Sequence, residues 1–278
     1  MMTNCDFEFT DASFERIRQF VREYTGIVLG DKKKNMVYSR LVKRVRSGEY
    51  SCFKSFCDAL ESGNETVQDF VINAMTTNST AFFRENHHFD YLVNTVIPEL
   101  LERKPASKKL RAWSAGCSTG EEPYSIAMTL KEHLPDFEKW DVKILASDID
   151  ANVIARAKAG IYQFDHLTGI FDKQLSHWFK RGRDEKYNYV KVNAEVRNLI
   201  RFRRLNVLHE WPMTGEFDFI FCRNVMIYFD KEMRRSLFDR YANILAPGGY
   251  LFVGHSETLN NISERFDFLG ETIYKKKV

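Results

Sequence analysis

From residue 110 onward, short apolar runs alternate with helical patterns, and this alternation limits the fold more than any other feature of the chain. Strands read over residues 110–115, 142–147, 217–222 and 250–254, and helices over 121–134, 151–159 and 231–245. Strands separated by helix-length connections pair in parallel, and the connecting helices cover both faces of the sheet. Pro247-Gly248-Gly249 supplies the turn into the last of these strands. Residues 161–205 are less regular: Y-N-Y-V-K-V and L-I-R-F-R-R-L read as strands, with a small hairpin inserted near residues 178–198.

The first third carries no strand alternation. Phe14, Ile17, Phe20, Val21 and Tyr24 recur at helical spacing, and Gly26 is placed to stop that helix. Residues 34–47 put Val37, Leu41 and Val45 on one stripe before Gly48, and shorter helices fit 51–60 and 65–75 around Gly63. A longer helix fits 88–103, with Pro98 implying a kink. The expectation is a helical domain over residues 1–75, a linker and connecting helix over 76–109, and an α/β domain over 110–278.

Composition narrows the class. A hydrophobic fraction of 44%, with 23 Phe and 12 Tyr, suffices for a large aromatic core. A net charge of +3 is too small to argue for wholesale nucleic-acid binding. Cys5, Cys52, Cys57, Cys117 and Cys222 are scattered with no C-x-x-C pair, which supports neither a zinc site nor a disulfide framework and points to a reducing compartment. No signal-peptide pattern opens the chain, and no apolar stretch reaches the ~20 residues of a membrane span. The expectation is a soluble cytoplasmic protein with no membrane insertion and no metal.

The first strand runs into S-A-G-C-S-T-G-E-E-P-Y-S, residues 114–125. Gly116–Gly120 matches G-x-S-x-G, the nucleophile elbow of serine hydrolases, and Ser118 with Asp218 or Asp230 and His255 even follows the right order. Yet that elbow normally follows several βα units, and here only helices precede it. The turn is neither G-x-G-x-x-G nor a P-loop. Glu121 and Glu122 sit where the next helix begins, where carboxylates repel phosphate and attract a cation. A cofactor with an ammonium and a sulfonium and no phosphate fits, and S-adenosylmethionine (SAM) is that cofactor. The second strand ends in A-S-D-I-D, with Asp148 at the edge where an acid accepts hydrogen bonds from ribose hydroxyls. Singly, Glu121 and Glu122 can instead serve the helix dipole, and Asp148 a helix cap. The strand F-D-F-I-F-C points Arg223 and Asn224 at the same edge, with Tyr228 one helical turn beyond. Asn224 as a cap and Tyr228 as core are the bland alternatives; an Arg ending a buried strand needs a partner.

T-T-N-S-T-A-F-F-R-E (76–85), S-T-G-E-E-P-Y-S (118–125), A-S-D-I-D (146–150) and C-R-N-V-M-I-Y-F (222–229) together resemble the chemotaxis receptor methyltransferases, SAM-dependent protein-glutamate O-methyltransferases. The resemblance covers nearly the whole chain. It implies a class I methyltransferase domain, Rossmann-like with a mostly parallel sheet, an N-terminal all-helical domain and a small inserted β-subdomain. It implies cofactor contacts from Asn78, Thr80, Arg84, Glu122, Asp148, Asn206, Val207, Arg223 and Asn224, with Arg84 and Tyr228 nearest the transfer centre. The product would be S-adenosylhomocysteine, and the acceptor a glutamate in the cytoplasmic methylation helices of chemoreceptors. Without the resemblance, residues 76–85 read as an ordinary polar connector.

Residues 32–46 carry seven basic side chains and no acid, and Arg40, Lys43 and Arg44 share a helical face opposite Val37, Leu41 and Val45. Acidic receptor helices would be drawn to such a face; an RNA methyltransferase docking its substrate there, or a merely solvated helix, are the alternatives. Some family members also hold a receptor's C-terminal peptide on the β-subdomain. Arg181-Gly182 resembles the start of that site, while Asn188 and Lys191 stand where the family has Gly and Arg.

Overall fold

The computed structural model describes residues 8–167, 170, 172–257 and 263–278. Four helices form the N-terminal unit: α1 (Asp11–Thr25), α2 (Lys34–Arg44), α3 (Phe53–Glu61) and α4 (Glu65–Met75). Thr10 caps α1 by accepting from the Ser13 N–H, and Gly26 ends it in the left-handed region at φ 74°. The apolar stripes meet: Ile17, Val21, Val37, Leu41, Val45, Phe53 and Phe56 share one core with no exposure. Each such side chain contributes roughly 1.5–3 kcal/mol relative to exposure. The expected 34–47 helix stops at Arg44 and continues as a π turn over Val45–Glu49.

The expected 88–103 helix is three pieces: α5 (His87–Tyr91), a π segment (Leu92–Val96) and α6 (Ile97–Arg103). Pro98 falls in the first turn of α6, and the wider π turn before it absorbs the missing N–H.

The α/β unit comprises β1 (Lys109–Ala115), α7 (Glu121–His133), β2 (Asp141–Asp148), α8 (Ala151–Ala159), β3 (Ile161–Gln163), α9 (Asp172–Trp178), β4 (Phe179–Arg181), β5 (Tyr189–Val192), α10 (Ala194–Arg197), β6 (Ile200–Arg204), β7 (Phe217–Cys222), α11 (Lys231–Ile244), β8 (Leu245–Val253), β9 (Phe266–Phe268) and β10 (Ile273–Lys276). The main sheet runs β6-β2-β1-β7-β8-β10-β9. Its first five strands are mutually parallel, and β10 and β9 close it antiparallel. This is the mostly parallel, two-faced sheet expected. Alternate residues of β1 enter opposite cores: Leu110 and Ala112 on one face, Trp113 and Ala115 on the other. The order of strand succession reverses between β1 and β7, which leaves a crevice at their carboxyl ends.

Two local expectations change. The hairpin is a three-stranded antiparallel sheet, β3-β5-β4, whose first strand at 161–163 is too short to show alternation. Pro247-Gly248-Gly249 does not precede its strand but lies within β8 as an irregularity in the β7 pairing, with Gly248 at φ 66°. Cys57, Cys117 and Cys222 are free and buried. Cys52, by contrast, is disulfide-bonded, which the spacing did not indicate; Cys5 lies outside the described residues.

Candidate active site

The crevice holds a cavity of about 290 Å³, near the lower end of small-molecule pockets. Asn78, Thr80, Arg84, Glu122, Asp148, Asn206, Val207, Arg223, Asn224 and Tyr228 all line it. They come from the linker, the start of α7, the end of β2, the segment after β6 and the segment after β7. Thr25 and Ile27, from the end of α1, complete the wall and were not anticipated.

The loop after β1 shapes the floor. Gly116, at φ 88°, and Cys117 both donate to the Ser147 carbonyl, at 2.8 and 2.9 Å. A Cβ on Gly116 would stand 2.2 Å from Val225 Cγ2, so only glycine permits this turn. The Ser118 N–H donates to Asp148 Oδ2 at 2.8 Å, and the Asp150 N–H to Oδ1 at 3.0 Å. Burial raises the Asp148 carboxyl above its usual range, and these two N–H groups oppose that. Asp148 thus points into the cavity already oriented.

The hydrolase reading fails here. The Ser118 hydroxyl is given to the Asn78 carbonyl at 2.9 Å. Asp218 holds Lys104 and the Arg111 N–H near the opposite end of its strand, and Asp230 caps α11. His255 is exposed, and its N–H faces Glu85. No base is bonded to Ser118 and no acid orients the histidine, among the described residues.

A buried charge cluster forms one side. Arg223, 6% exposed, reaches Glu85 at 3.2 Å and Glu122 at 3.4 Å, and donates to the Arg84 carbonyl. Ser114 donates to Glu122 at 2.7 Å. Two carboxylates facing one guanidinium leave the cluster negative overall. Burial raises Glu122, against the pull of Arg223 and Ser114; Glu85, also pushed up by burial, is held below its usual value by Arg223 and the His255 N–H. Glu121 instead accepts from Thr119 at 2.6 Å and does not line the cavity. Glu85, His87 and His88 bring ligating atoms within 4.8 Å of one another, but Arg223 already occupies the Glu85 carboxylate.

Arg84 is exposed at the mouth, donating to the Ser79 carbonyl at 3.0 Å. Phe82 is buried in the core beneath it, and Phe83 and Glu85 hold positive φ of 51° and 55°, so the linker is bent tightly over the crevice. Asn224 is also left-handed, at φ 59°. Its N–H donates to Glu257 at 2.7 Å, as do those of Ile227 at 3.1 Å and Gly254 at 2.6 Å. Glu257, 3% exposed, therefore pins the whole Arg223–Tyr228 loop. Nothing in H-S-E-T marked it. Asn206 uses its amide on the Tyr24 carbonyl at 2.5 Å, joining the segment after β6 to α1. Tyr228 closes a 3-10 turn (Met226–Tyr228) rather than an α-helical one, and its carbonyl accepts from the Val28 N–H at 3.2 Å.

The basic face of α2 is partly engaged. Arg44 pairs with Glu49 at 2.7 Å, and half-buried Arg40 donates to the Ala74 and Thr76 carbonyls at 2.9 and 3.2 Å. Lys43 is exposed and makes no ion pair among the described residues. On the small sheet, the Arg181 guanidinium lies between the Phe164 and Tyr187 rings, at 4.0 and 3.9 Å.

Residues 78–275 match the family described as CheR methyltransferase, SAM binding domain, and residues 12–76 its all-alpha domain. The chain is 42% identical over 268 residues to the chemotaxis protein methyltransferase of Escherichia coli, covering 95% of this chain and 91% of that one. It is 42% identical to chemotaxis protein methyltransferase 2 of Pseudomonas aeruginosa, with 98% and 95% covered. The Borreliella burgdorferi chemotaxis protein methyltransferase is 35% identical, with 98% and 97% covered. No helix among the described residues is long and apolar enough to cross a membrane. With both domain models matched in succession and 42% identity to a relative over 95% of its length, this chain belongs to the CheR methyltransferase family.

Proposed function

We propose that the protein transfers the methyl group of SAM to glutamate side chains of chemotaxis receptors, giving glutamyl methyl esters and S-adenosylhomocysteine. The observation that carries this reading is the convergence on one cavity of all ten residues that the family resemblance names, from five separate stretches of chain. The cavity also suits the cofactor: Asp148 and the Glu85–Glu122–Arg223 cluster make it acidic, matching a cationic ligand without phosphate. Asp148 would accept from ribose hydroxyls, and Glu122 would face the ammonium. Asn78, Thr80, Asn206, Val207 and Asn224 would line the remainder.

Bound there, SAM would supply an electrophilic sulfonium methyl: an acceptor carboxylate oxygen would form the new C–O bond in line as the C–S bond breaks, with neutral S-adenosylhomocysteine as the leaving group. The acceptor glutamate, with an ordinary pKa near ~4.3, is ionised at neutral pH, so no strong base is needed. Positioning then governs the rate and can supply roughly 7–11 kcal/mol. Arg84, exposed at the mouth and restrained by one carbonyl, steers the acceptor carboxylate, and Tyr228 supports it. A tight bidentate clamp would stabilise the ground state instead.

The helical domain, taken as residues 1–75, docks the receptor through Arg40, Lys43 and Arg44 on α2. On the β-subdomain Arg181 lies between two rings, but Asn188 and Lys191 depart from the pattern of a receptor C-terminal peptide site, so tethering there is not part of this reading. The test is incubation of the protein with methyl-labelled SAM and a receptor cytoplasmic fragment. Label released by mild base from glutamyl positions is expected. Incorporation only in the presence of RNA, or only into small molecules, would refute the assignment.

A further inference from the structure

Arg40 belongs to the basic face of α2, yet it is half-buried and its guanidinium donates inward, to two backbone carbonyls. Its Nη1 group donates to Ala74, in the last turn of α4, and to Thr76, the first linker residue lining the cavity. The Thr76 hydroxyl, with one proton to give, lies 3.0 Å from the Asn73 carbonyl and 3.2 Å from Asp150 Oδ2, and its oxygen accepts from the Asn78 amide at 3.4 Å, which in turn donates to Asp150 Oδ2 at 2.9 Å. The Asp150 N–H then holds Asp148 Oδ1 at 3.0 Å, and Ser118, bonded to the Asn78 carbonyl, holds Oδ2 at 2.8 Å. A continuous path of hydrogen bonds thus runs from α2 to the carboxylate at the cavity floor. Thr76, Asn78, Ser118 and Asp148 all line the cavity.

We propose that Arg40 is a positioning residue for the cofactor: by clamping the α4–linker junction it fixes Thr76 and Asn78 against Asp150, and so sets Asp148 for its ligand. The physical reason is that residues 76–81 are irregular backbone, with no ladder to hold them. Their register over the crevice depends on side-chain bonds at each end. Arg40 supplies the upstream anchor, and a charged donor to a carbonyl is stronger than a neutral one. A partner docked on α2 would meet the same helix that holds the linker, so receptor binding and cofactor binding are linked through Arg40. The inference rests on reading the cavity as the SAM site.

Calorimetry with S-adenosylhomocysteine, without any receptor, separates a positioning role from simple docking. Arg40→Ala should weaken binding about tenfold, the scale of one lost charge-assisted hydrogen bond. Lys43→Ala, on the same face but without a bond to the linker, should leave cofactor affinity within ~twofold and raise only the KM for receptor. Thr76→Val cuts the next link and should reproduce the Arg40→Ala loss. The double variant should be no more than ~twofold weaker than the worse single one, because both act on one path. Turnover of Arg40→Ala should recover at saturating SAM, which a general loss of fold would not allow. Unchanged affinity in Arg40→Ala, or in Thr76→Val should Arg40→Ala not fold, overturns the proposal, as do losses that multiply in the double variant. If the wild-type protein binds no S-adenosylhomocysteine, the functional reading falls first and this inference with it.

Discussion

His88 provides a sharp test of the electrostatics around the site. The side chain has no exposure, and its Nε2 lies 3.0 Å from the Glu271 carbonyl, so Nε2 carries the proton and donates. Nδ1 is buried without a hydrogen-bond partner. Burial, reinforced by the Arg223 charge, lowers its pKa from 6.5 to about 3. Above pH 6.5 the ring is neutral in both states and linkage vanishes. As pH falls below 6.5 the unfolded chain takes up a proton that the native state excludes, so stability declines by about 1.4 kcal/mol per unit. Between pH 7 and pH 5 the loss sums to about 2 kcal/mol, a figure that needs only a native pKa well below 5. The raised carboxyls of Glu122, Asp148 and Glu257 act in the opposite sense: they bind protons more tightly folded than unfolded, so their contribution grows as pH falls. They are common to wild type and variant and cancel in a difference. His88→Gln keeps an N–H donor near Nε2 and cannot titrate. Urea denaturation followed by tryptophan fluorescence is a suitable assay, because Trp113, Trp140, Trp178 and Trp211 all lie in the α/β unit on which His88 packs. Wild type should lose about 2 kcal/mol more than His88→Gln between pH 7 and pH 5. Parallel pH dependences would refute the reasoning.

Three further outcomes are expected. Asp148→Ala should weaken S-adenosylhomocysteine about ten- to hundredfold in calorimetry, the loss of one strong charge-assisted hydrogen bond, and undiminished affinity would remove Asp148 from the site. Arg84→Ala should abolish most turnover while circular dichroism and the melting temperature stay unchanged, because this exposed side chain holds, among the described residues, only the Ser79 carbonyl; near-normal kcat would contradict its steering role. Gly116→Ala should cost about 1–3 kcal/mol and lower cofactor affinity, since its φ is positive and the added methyl meets Val225; an unaltered melting temperature would show that the turn yields without strain.

Much of the site was legible because its signals are local. Short apolar runs and 3.6-residue patterns placed β1, β2, β7 and the helices after them, and the crevice at the strands' carboxyl ends follows from their order. The acid at the end of β2 and the carboxylates opening α7 could be read as chemistry from position alone. Arg223 demanded a partner, but the partner was invisible: Glu85 lies 138 residues away in a stretch that read as a connector. Glu257 carries no motif, and its importance arises only because three backbone N–H groups fold onto it. Arg40 read as a docking charge because its helical face was countable, whereas its bonds to Ala74 and Thr76 were not.

What the sequence alone determined is the succession of elements and the glycine turn between β1 and α7. Apolar periodicity and turn sterics act over a few residues and need no knowledge of the rest of the chain. Only the tertiary structure decided that the end of α1 walls the cavity, that Asp148 is held by Ser118 and Asp150, and that Arg223 answers to two carboxylates. Apart from the local bond from the Asp150 N–H to Asp148, these contacts join residues distant in the chain, such as Ser118 with Asp148 and Arg223 with Glu85 and Glu122. Their energies depend on burial and orientation, quantities that come into being only when the separate pieces are packed together.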